Sequence, residues 1–420
     1  MKQDLALKIM LEGKSVLLTG AAGAGKTYVL QKFIKQARAQ GKSVAVTATT
    51  GLAATHLNGN TIHSWSGIGI HHILPPKFSE TLAKSRREII QKTDVLIIDE
   101  ISMLHDYRLD LVDDVCRSVR ESAEPFGGLQ VVLCGDFFQL PPINRPNERE
   151  GGFVVNSFVW DELDPTVCYL DEQHRQDSGE FLEILNAMRA GDVRRSHAET
   201  LMERQYAELG YGTDVTELHT VNVDVDRLNT AKLAELESES RVFTAVTTGS
   251  AQYLETLRRS CLAQEELELK VGALVMCIRN SQDKKYVNGS LGTVVGFDEG
   301  SKWPEVRLHS GKTVVVGPDT WELRDGSTLR ASLAQIPLRL AWAITVHKSQ
   351  GMTLDAARID LRRAFVEGMG YVALSRVRSL DALSLTGINQ MALKVSPEAL
   401  RIDSDLRAAS SRAMAAYATD

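Results

Sequence analysis

Val16-Leu17-Leu18-Thr19 runs directly into Gly20-Ala21-Ala22-Gly23-Ala24-Gly25-Lys26-Thr27, an apolar strand candidate followed by GxxxxGK[ST] with every fixed position filled. The pattern predicts a strand, a glycine loop and a helix opening near Lys26. Glycines allow successive backbone N–H groups to curl around phosphate oxygens, Lys26 neutralises the terminal phosphates, and Thr27 offers a hydroxyl to Mg²⁺. The N-terminal end of the following helix adds a favourable dipole. A nucleoside triphosphate with Mg²⁺ is therefore the expected ligand. The loop names a fuel and says nothing of what its hydrolysis drives.

Outward from this loop the first part of the chain repeats an α/β rhythm. Candidate strands lie at Ser15 to Thr19, Ser43 to Thr47, Asp94 to Ile98 and Leu129 to Cys134, and candidate helices at Tyr28 to Gln40 and Tyr107 to Ser122. Near-continuous apolar strands of this kind predict a parallel sheet covered by helices on both faces. From about Thr166 the rhythm resumes with Val167 to Leu170, Thr216 to Thr220, Arg241 to Val246, Leu338 to Thr345 and Leu383 to Leu385, which predicts a second α/β lobe. Between about Glu268 and Ala334 short β-type runs are punctuated by Asn288-Gly289, Ser310-Gly311 and Asp325-Gly326, all suited to hairpin turns. That region is expected to be a small antiparallel barrel inserted in the second lobe. After about Pro397 an Ala-, Ser- and Arg-rich tail is expected to form a terminal helix.

The bounds set by composition agree. With 420 residues and 43% hydrophobic content the chain is too long for one typical domain. No apolar run approaches a membrane span or a signal peptide, so a cytosolic protein, or a nuclear one in a eukaryote, is expected, with no membrane partner. Cys116, Cys134, Cys168, Cys261 and Cys277 are widely spaced in apolar surroundings without CxxC, which favours buried thiols over disulfides or zinc. A net charge of −6 argues against passive electrostatic coating of nucleic acid, not against a local groove.

Several further stretches carry chemistry. Asp94-Val-Leu-Ile-Ile-Asp99-Glu100 is an apolar strand ending in two acids, which would bring Asp99 to Mg²⁺ and Glu100 to the attacking water, or would cap the next helix. Gly135-Asp136-Phe137-Phe138-Gln139-Leu140-Pro141-Pro142 follows another apolar strand. Gln139 would emerge where an amide can sense the γ-phosphate, but a proline-terminated turn suits the same residues equally. Arg175, in Glu172-Gln173-His174-Arg175-Gln176, and Arg376, in Tyr371-Val-Ala-Leu-Ser375-Arg376, offer positive charge for phosphoryl transfer. Most single arginines are simply solvated. Thr345-Val-His347-Lys348-Ser349-Gln350-Gly351 follows a strand with hydroxyls and a lysine suited to phosphate contacts.

Taken in order, GAAGAGKT, VTATTGLAA, TIHSWSGIG, IIDEISML, FGGLQVVLCGDFFQLPP, EQHRQ, LAWAITVHKSQGMTLD and YVALSRV resemble the superfamily 1 helicases, specifically the Pif-one family, related to the RecD-like and phage Dda-like enzymes. The resemblance runs from near the amino terminus to about Asn389. It implies an α/β fold of two RecA-like parallel-sheet P-loop lobes, residues 1–165 and then 166–267 with 335–395, a small β-barrel inserted at 268–334, and a tail at 396–420. Residues 64–90, around Ile70 to Lys84, would supply a strand-splitting wedge.

Roles follow by position. Gln3, upstream of the loop, matches an adenine-reading glutamine; Gly20, Gly23, Ala24, Gly25, Lys26 and Thr27 would bind the nucleotide; Thr27 and Asp99 would hold Mg²⁺. Glu100 would activate water, Gln139 would become the γ-phosphate sensor, and Arg175 and Arg376 would be arginine fingers. For DNA the resemblance implicates Thr49, Thr50, His63 and Trp65, then Thr345, His347, Lys348 and Ser349. A tryptophan beside hydroxyls suits a sequence-tolerant single-strand track, although Trp65 is also a natural core residue. His174 departs from the aromatic usual before the finger arginine. The chain resembles the helicase core alone.

The resemblance implies an ATP-dependent DNA helicase moving 5′ to 3′ on single-stranded DNA, with ATP between the two lobes, acting on single strands and single-strand/duplex junctions in repair, recombination or replication, and a monomer is expected because one chain carries all the motor parts. The alternative is an ATP-gated single-strand clamp or translocase that does not separate strands. A small-molecule kinase would need only one P-loop lobe and leaves the second set of motifs unused.

Overall fold

Val16–Gly20 forms β1, buried along its whole length, and it sits inside a six-stranded parallel sheet. Its companions are β2 Val44–Ala48, β3 Asn60–Thr61, β4 Val95–Asp99, β5 Gln130–Gly135 and β6 Thr166–Leu170, in the order β3-β2-β4-β5-β1-β6. The strands are continuous apolar runs because both faces are covered. Val16 and Leu18 of β1, Val95 and Ile97 of β4, and Val132 and Cys134 of β5 share one core with α1, Gln3–Leu11, and α2, Lys26–Ala39. Phe33, Leu30, Ile9 and Met10 close that core, each fully buried side chain of this size contributing about 1.5–3 kcal/mol.

This computed structural model describes residues 1–57, 59–144, 149–173, 179–209, 215–261, 263–281, 283, 285–286, 288–325 and 328–418. The chain divides into two units. The first comprises Met1–Arg195, Val366–Ser375 and Gln390–Asp420, and the second Ser196–Phe365 and Arg376–Asn389. The parallel α/β architecture expected for the first lobe is present, with helices at Lys26–Ala39 and Asp106–Arg120 close to their expected bounds.

The boundary at residue 165 is corrected. Thr166–Leu170, placed in lobe two by its apolar pattern, instead pairs in parallel with β1 from Val16↔Thr166 to Gly20↔Leu170, and so completes the first sheet. The tail is a helix, Pro397–Ala418, which packs on β6 of the same unit; Ser410 Oγ accepts the Tyr169 N–H at 3.1 Å.

The second unit has its own parallel sheet, of Ala343–Thr345, Thr216–His219, Ala357–Leu361 and Leu383–Ile388 in that order. The expected α/β strand Arg241 to Val246 falls elsewhere. Arg241–Thr244 pairs antiparallel with Glu266–Leu269, and a separate strand, Val246–Gly249, pairs antiparallel with Thr328–Gln335. The run Leu338 to Thr345 is two strands: Leu338–Leu340 pairs antiparallel with Leu274–Cys277, and Ala343–Thr345 pairs in parallel with Thr216–His219. The antiparallel region therefore reaches back to Arg241 and forward to Leu340. Its strands form sheets of five, three and two strands rather than one continuous sheet. Ser310-Gly311 joins the antiparallel strands Pro304–Leu308 and Thr313–Val315, with Gly311 at φ 84°, whereas Asn288-Gly289, with Gly289 at φ 90°, lies at the end of a long connection between Leu274–Cys277 and Leu291–Phe297. All five cysteines are buried and free. Among the described residues no helix is long and apolar enough to cross a membrane.

Candidate active site

The sheet order decides which residues meet. β4, β5 and β1 are adjacent and parallel, so their carboxyl ends put Asp99-Glu100, Gly135-Asp136 and the glycine loop side by side, where ligands of open α/β sheets bind. The loop turns sharply: Gly20, Gly23 and Gly25 have φ of 146°, 89° and 85°. A Cβ on Gly20 would stand 2.6 Å from the Leu170 carbonyl oxygen, so β6 also enforces glycine there. Gly25 ends the loop as the residue before α2, leaving Lys26 and an exposed Thr27 in the helix's first turn. Lys26 Nζ donates to the carbonyl oxygens of Gly20 at 2.8 Å and Ala21 at 3.0 Å, which holds the ammonium inside the loop. Gln3 lies beside it, its Nε2 donating to the Ala24 carbonyl at 3.1 Å while its N–H donates to Glu172.

Asp99 Oδ1 accepts the Glu100 N–H at 2.9 Å. Burial raises the Asp99 pKa, opposed by that N–H, by the Cys134 thiol and by the Lys26 charge. Glu100 adopts φ 53°, ψ 44°, a left-handed conformation that a non-glycine residue enters only when its surroundings impose it. Thr49, at the end of β2, supplies part of that constraint: its N–H donates to the Asp99 carbonyl at 3.2 Å and its hydroxyl to the Glu100 carbonyl at 3.0 Å. Gln139 is 7% exposed, with Nε2 3.5 Å from Asp136 Oδ2.

Asp136 lies at the centre of a buried polar chain. Arg189 NH1 donates to both its carboxylate oxygens at 2.7 Å and to the Tyr371 hydroxyl at 3.1 Å, while NH2 donates to the Tyr169 hydroxyl at 2.8 Å. The Tyr371 hydroxyl in turn accepts the Ala22 N–H at 3.0 Å, so the chain reaches the phosphate loop. At its other end Tyr169 donates to Asp403 at 2.6 Å and accepts from Arg407 at 2.7 Å, both on the terminal helix. Burial alone would raise the Asp136 pKa; the charges of Arg189 and then Lys26 outweigh it and hold the carboxyl below the usual range. Gln173 adds a second brace, donating to the Ala22 carbonyl at 3.0 Å.

The candidate DNA residues separate by exposure. In the first unit Thr49 is buried with its hydroxyl committed to Glu100, whereas Thr50 is half-buried and its hydroxyl accepts the Ala53 N–H. His63 is half-buried; burial, then the charges of Arg108 and His105, push its pKa down to about 4, so it is neutral at physiological pH. Trp65, expected as a stacking platform with the core as its alternative, is 8% exposed, and its Nε1 is buried without a hydrogen-bond partner among the described residues. An indole gains more by burying its large apolar area than it loses through one unmade hydrogen bond.

In the second unit Thr345 and Ser349 are buried and shape the turn His347–Ser349. Thr345 Oγ1 accepts the Lys348 N–H at 3.3 Å, and Ser349 Oγ donates to the Val346 carbonyl at 2.8 Å. His347 and Lys348 remain half-buried. The His347 ring lies nearly parallel to Phe365, with centroids 6.2 Å apart, and Phe365 is 59% exposed. Arg376 is also in the second unit, 1% exposed, with NH1 donating to the Ser349 and Met352 carbonyls. His174 and Arg175 lie outside the described residues.

Residues 4–199 match the family model of the PIF1-like helicases, and residues 252–297 match the 2B domain of DNA helicase Pif1. ATP-dependent DNA helicase Pif1 of Psychrobacter sp. is 41% identical over 99% of this chain and 72% of its own length. The chain belongs to the Pif1-like helicase family. Human ATP-dependent DNA helicase PIF1 is 36% identical over 97% of this chain, which spans 63% of the human protein. Among solved structures, Pif1 helicase from Candida albicans superposes with a TM-score of 0.83 at 34% identity, covering 96% of this chain and 98% of that one. Pif1 helicase from Bacteroides in complex with ADP-AlF3 and single-stranded DNA gives 0.72 at 34% identity, covering 97% and 96%. The α/β fold of this Pif1-like chain is thus that of the family, with RecA-like lobes.

Asp136, Arg189 and Tyr371 were not singled out by motif spacing. Two of them lie inside quoted motifs, GDFFQLPP and YVALSRV, beside more familiar residues. Arg189 had a separate signal: the helix Glu180–Arg189 buries Phe181, Ile184, Leu185 and Met188, and Arg189 follows Leu185 by four, placing a charge on the buried stripe. Such a charge needs a buried partner. The site also fits a magnesium nucleotide. The loop supplies glycines and a lysine, Thr27 lies in the first turn of α2, and Asp99 ends β4 as a half-buried carboxylate. Among the described residues there is no cluster of three or more metal-ligating side chains, and Mg²⁺ held through one carboxylate plus phosphate oxygens and water needs none.

Proposed function

We propose that this chain, an ATP-dependent DNA helicase of the Pif1-like family, moves 5′ to 3′ along single-stranded DNA and separates duplex at single-strand/duplex junctions. The observation that carries the proposal is the convergence of the phosphate loop, Asp99-Glu100 and Asp136-Gln139 on three adjacent strand ends. Relatives named for ATP-dependent DNA unwinding and a neighbour bound to ADP-AlF3 and single-stranded DNA support it.

In this proposal Gly20 to Thr27 wraps the ATP phosphates, Gln3 reads the base, and Thr27 and Asp99 hold Mg²⁺, which neutralises charge on the transferring phosphoryl group. Glu100 orients water, and its enforced left-handed backbone fixes where the carboxylate can point. Gln139 senses the γ-phosphate; Arg175 and Arg376 supply finger charge, Arg376 after release from the carbonyls it now satisfies. On DNA, Thr50 and His63 in the first unit and His347 and Lys348 in the second contact the strand, with Thr49, Thr345 and Ser349 shaping those loops. Differential grip by the two units in ATP-bound and ATP-free states converts hydrolysis into steps. A monomer carries all these parts.

Ile70 and Ile73 are 84% and 75% exposed on the segment expected to be the wedge. Apolar side chains held in water suit insertion between base pairs at a junction. On forked duplexes the chain is expected to release the strand with a 5′ tail and not with a 3′ tail. The double substitution Ile70→Ser and Ile73→Ser should cut unwinding roughly ten-fold while oligonucleotide-stimulated ATP hydrolysis persists. Release only from 3′-tailed forks would overturn the direction, and ATP hydrolysis on 5′-tailed forks without any release would identify the clamp instead.

A further inference from the structure

Arg339 sits on the strand Leu338–Leu340, opposite Met276 of Leu274–Cys277, and is 7% exposed. Strand alternation points its side chain to the face opposite Leu338 and Leu340. Its Nε is buried without a hydrogen-bond partner, and among the described residues no carboxylate lies within ion-pair distance of the guanidinium. A guanidinium this deeply buried normally keeps a carboxylate or a set of carbonyls. Arg376 in the same unit does so, with the Ser349 and Met352 carbonyls.

Another cation lies within reach of the Arg339 charge. Lys348 lies close enough that the Arg339 charge, after burial itself, holds its ammonium below the ordinary lysine range. Burial likewise lowers Arg339. A single exposed acid, Asp226, acts on both from beyond ion-pair distance. Lys348 is aimed by one hydrogen bond, Nζ to Asn222 Oδ1 at 3.2 Å. Two cations of one unit, one with unspent donors, thus stand without a full anionic partner among the described residues.

We propose that Arg339 and Lys348 form a seat for one phosphodiester of single-stranded DNA. The guanidinium fork grips two non-bridging oxygens and Lys348 adds a point charge, a division of labour that suits a singly charged phosphate. Binding would supply the counter-charge that the folded protein lacks at this place. The proposal rests on the reading of the His347–Ser349 turn as part of the strand track, and it adds Arg339, from a different sheet, to that track.

The test measures binding of fluorescein-labelled oligothymidylate without nucleotide across a salt series. Arg339→Met should weaken binding roughly ten-fold at low salt, the scale of one hydrogen bond to a charged group. It should also flatten the slope of log K against log salt by about 0.7, the release expected for one single-strand phosphate. Arg339→Lys should keep the slope. Thermal midpoint should not fall in Arg339→Met, because an unpaired buried charge has been removed. If Lys348→Met flattens the slope and Arg339→Met leaves it unchanged, the seat is overturned while the track survives. If neither changes it, the track itself is overturned. A slope unchanged by Arg339→Met with a raised KM for ATP would assign the two cations to a nucleotide phosphate, which also overturns the proposal.

Discussion

Lys26→Ala is expected to lower DNA-stimulated ATP hydrolysis by about 10²–10³-fold, the loss typical of removing one preorganised donor from developing charge. The reason lies in where the ammonium is held. Nζ is fixed within the loop by the Gly20 and Ala21 carbonyls, and its charge reaches both Asp99 and Asp136. Removing it takes a cation from the phosphates and at the same time leaves the buried Asp136 and the half-buried Asp99 less well compensated. The Asp99 pKa, already raised by burial, should rise further, so the variant should bind Mg²⁺ more weakly at neutral pH than its geometry alone implies. A steady-state assay with saturating oligothymidylate and titrated Mg²⁺ reads both effects. Full DNA-stimulated turnover in Lys26→Ala would rule out the proposed site. Affinity for the oligonucleotide without ATP should change little, since the DNA residues stand on other loops.

Local chemistry made part of this legible in the sequence. The phosphate loop and the strands on either side were readable because continuous apolar runs and glycine-rich turns depend on neighbours along the chain; the observed β1, Val16–Gly20, differs from its expected bounds by one residue. What pairing a strand makes is not a local property. Val167 to Leu170 looks like any buried parallel strand, and only its register with β1 puts it in the first unit. Leu338 to Thr345 reads as one apolar run, yet its two halves join an antiparallel and a parallel sheet. Hydroxyls were similarly ambiguous. A threonine or serine in a phosphate-binding motif can touch the ligand or shape the loop, and in Thr49, Thr345 and Ser349 each hydroxyl is engaged within the protein. Motif position identified the loop without distinguishing which of its side chains face outward.

The buried ion pair beneath the loop should be the most costly of these features to break. Arg189→Met leaves the Asp136 carboxylate 1% exposed and unpaired, and Asp136→Asn leaves the Arg189 guanidinium with only the longer contact to Asp403, 3.6 Å from NH2. Each single substitution is expected to destabilise the first unit by about 3–5 kcal/mol. For a unit of this size that corresponds to a fall of roughly 10 °C in its unfolding midpoint. The double substitution should recover most of the loss, because no uncompensated charge remains. Additive losses in the double variant would contradict the pairing. The pH dependence separates pairing from packing. In the wild type Asp136 titrates below its unfolded value, so its contribution is complete above about pH 4 and is lost only as pH falls through the depressed folded value. In Arg189→Met burial has no opposing guanidinium, the folded pKa lies above the unfolded one, and the sign reverses. That variant should be least handicapped in acid and lose stability as pH rises toward neutrality. Calorimetry at several pH values should therefore show the gap between wild type and variant widening from acid to neutral solution. A gap independent of pH would mean that lost packing over Phe138 and Tyr371, on which the guanidinium also stacks, accounts for the whole effect. Because Tyr371 joins this pair to the Ala22 N–H, both single variants should also raise the KM for ATP, which ties the stability of the pair to the shape of the phosphate loop.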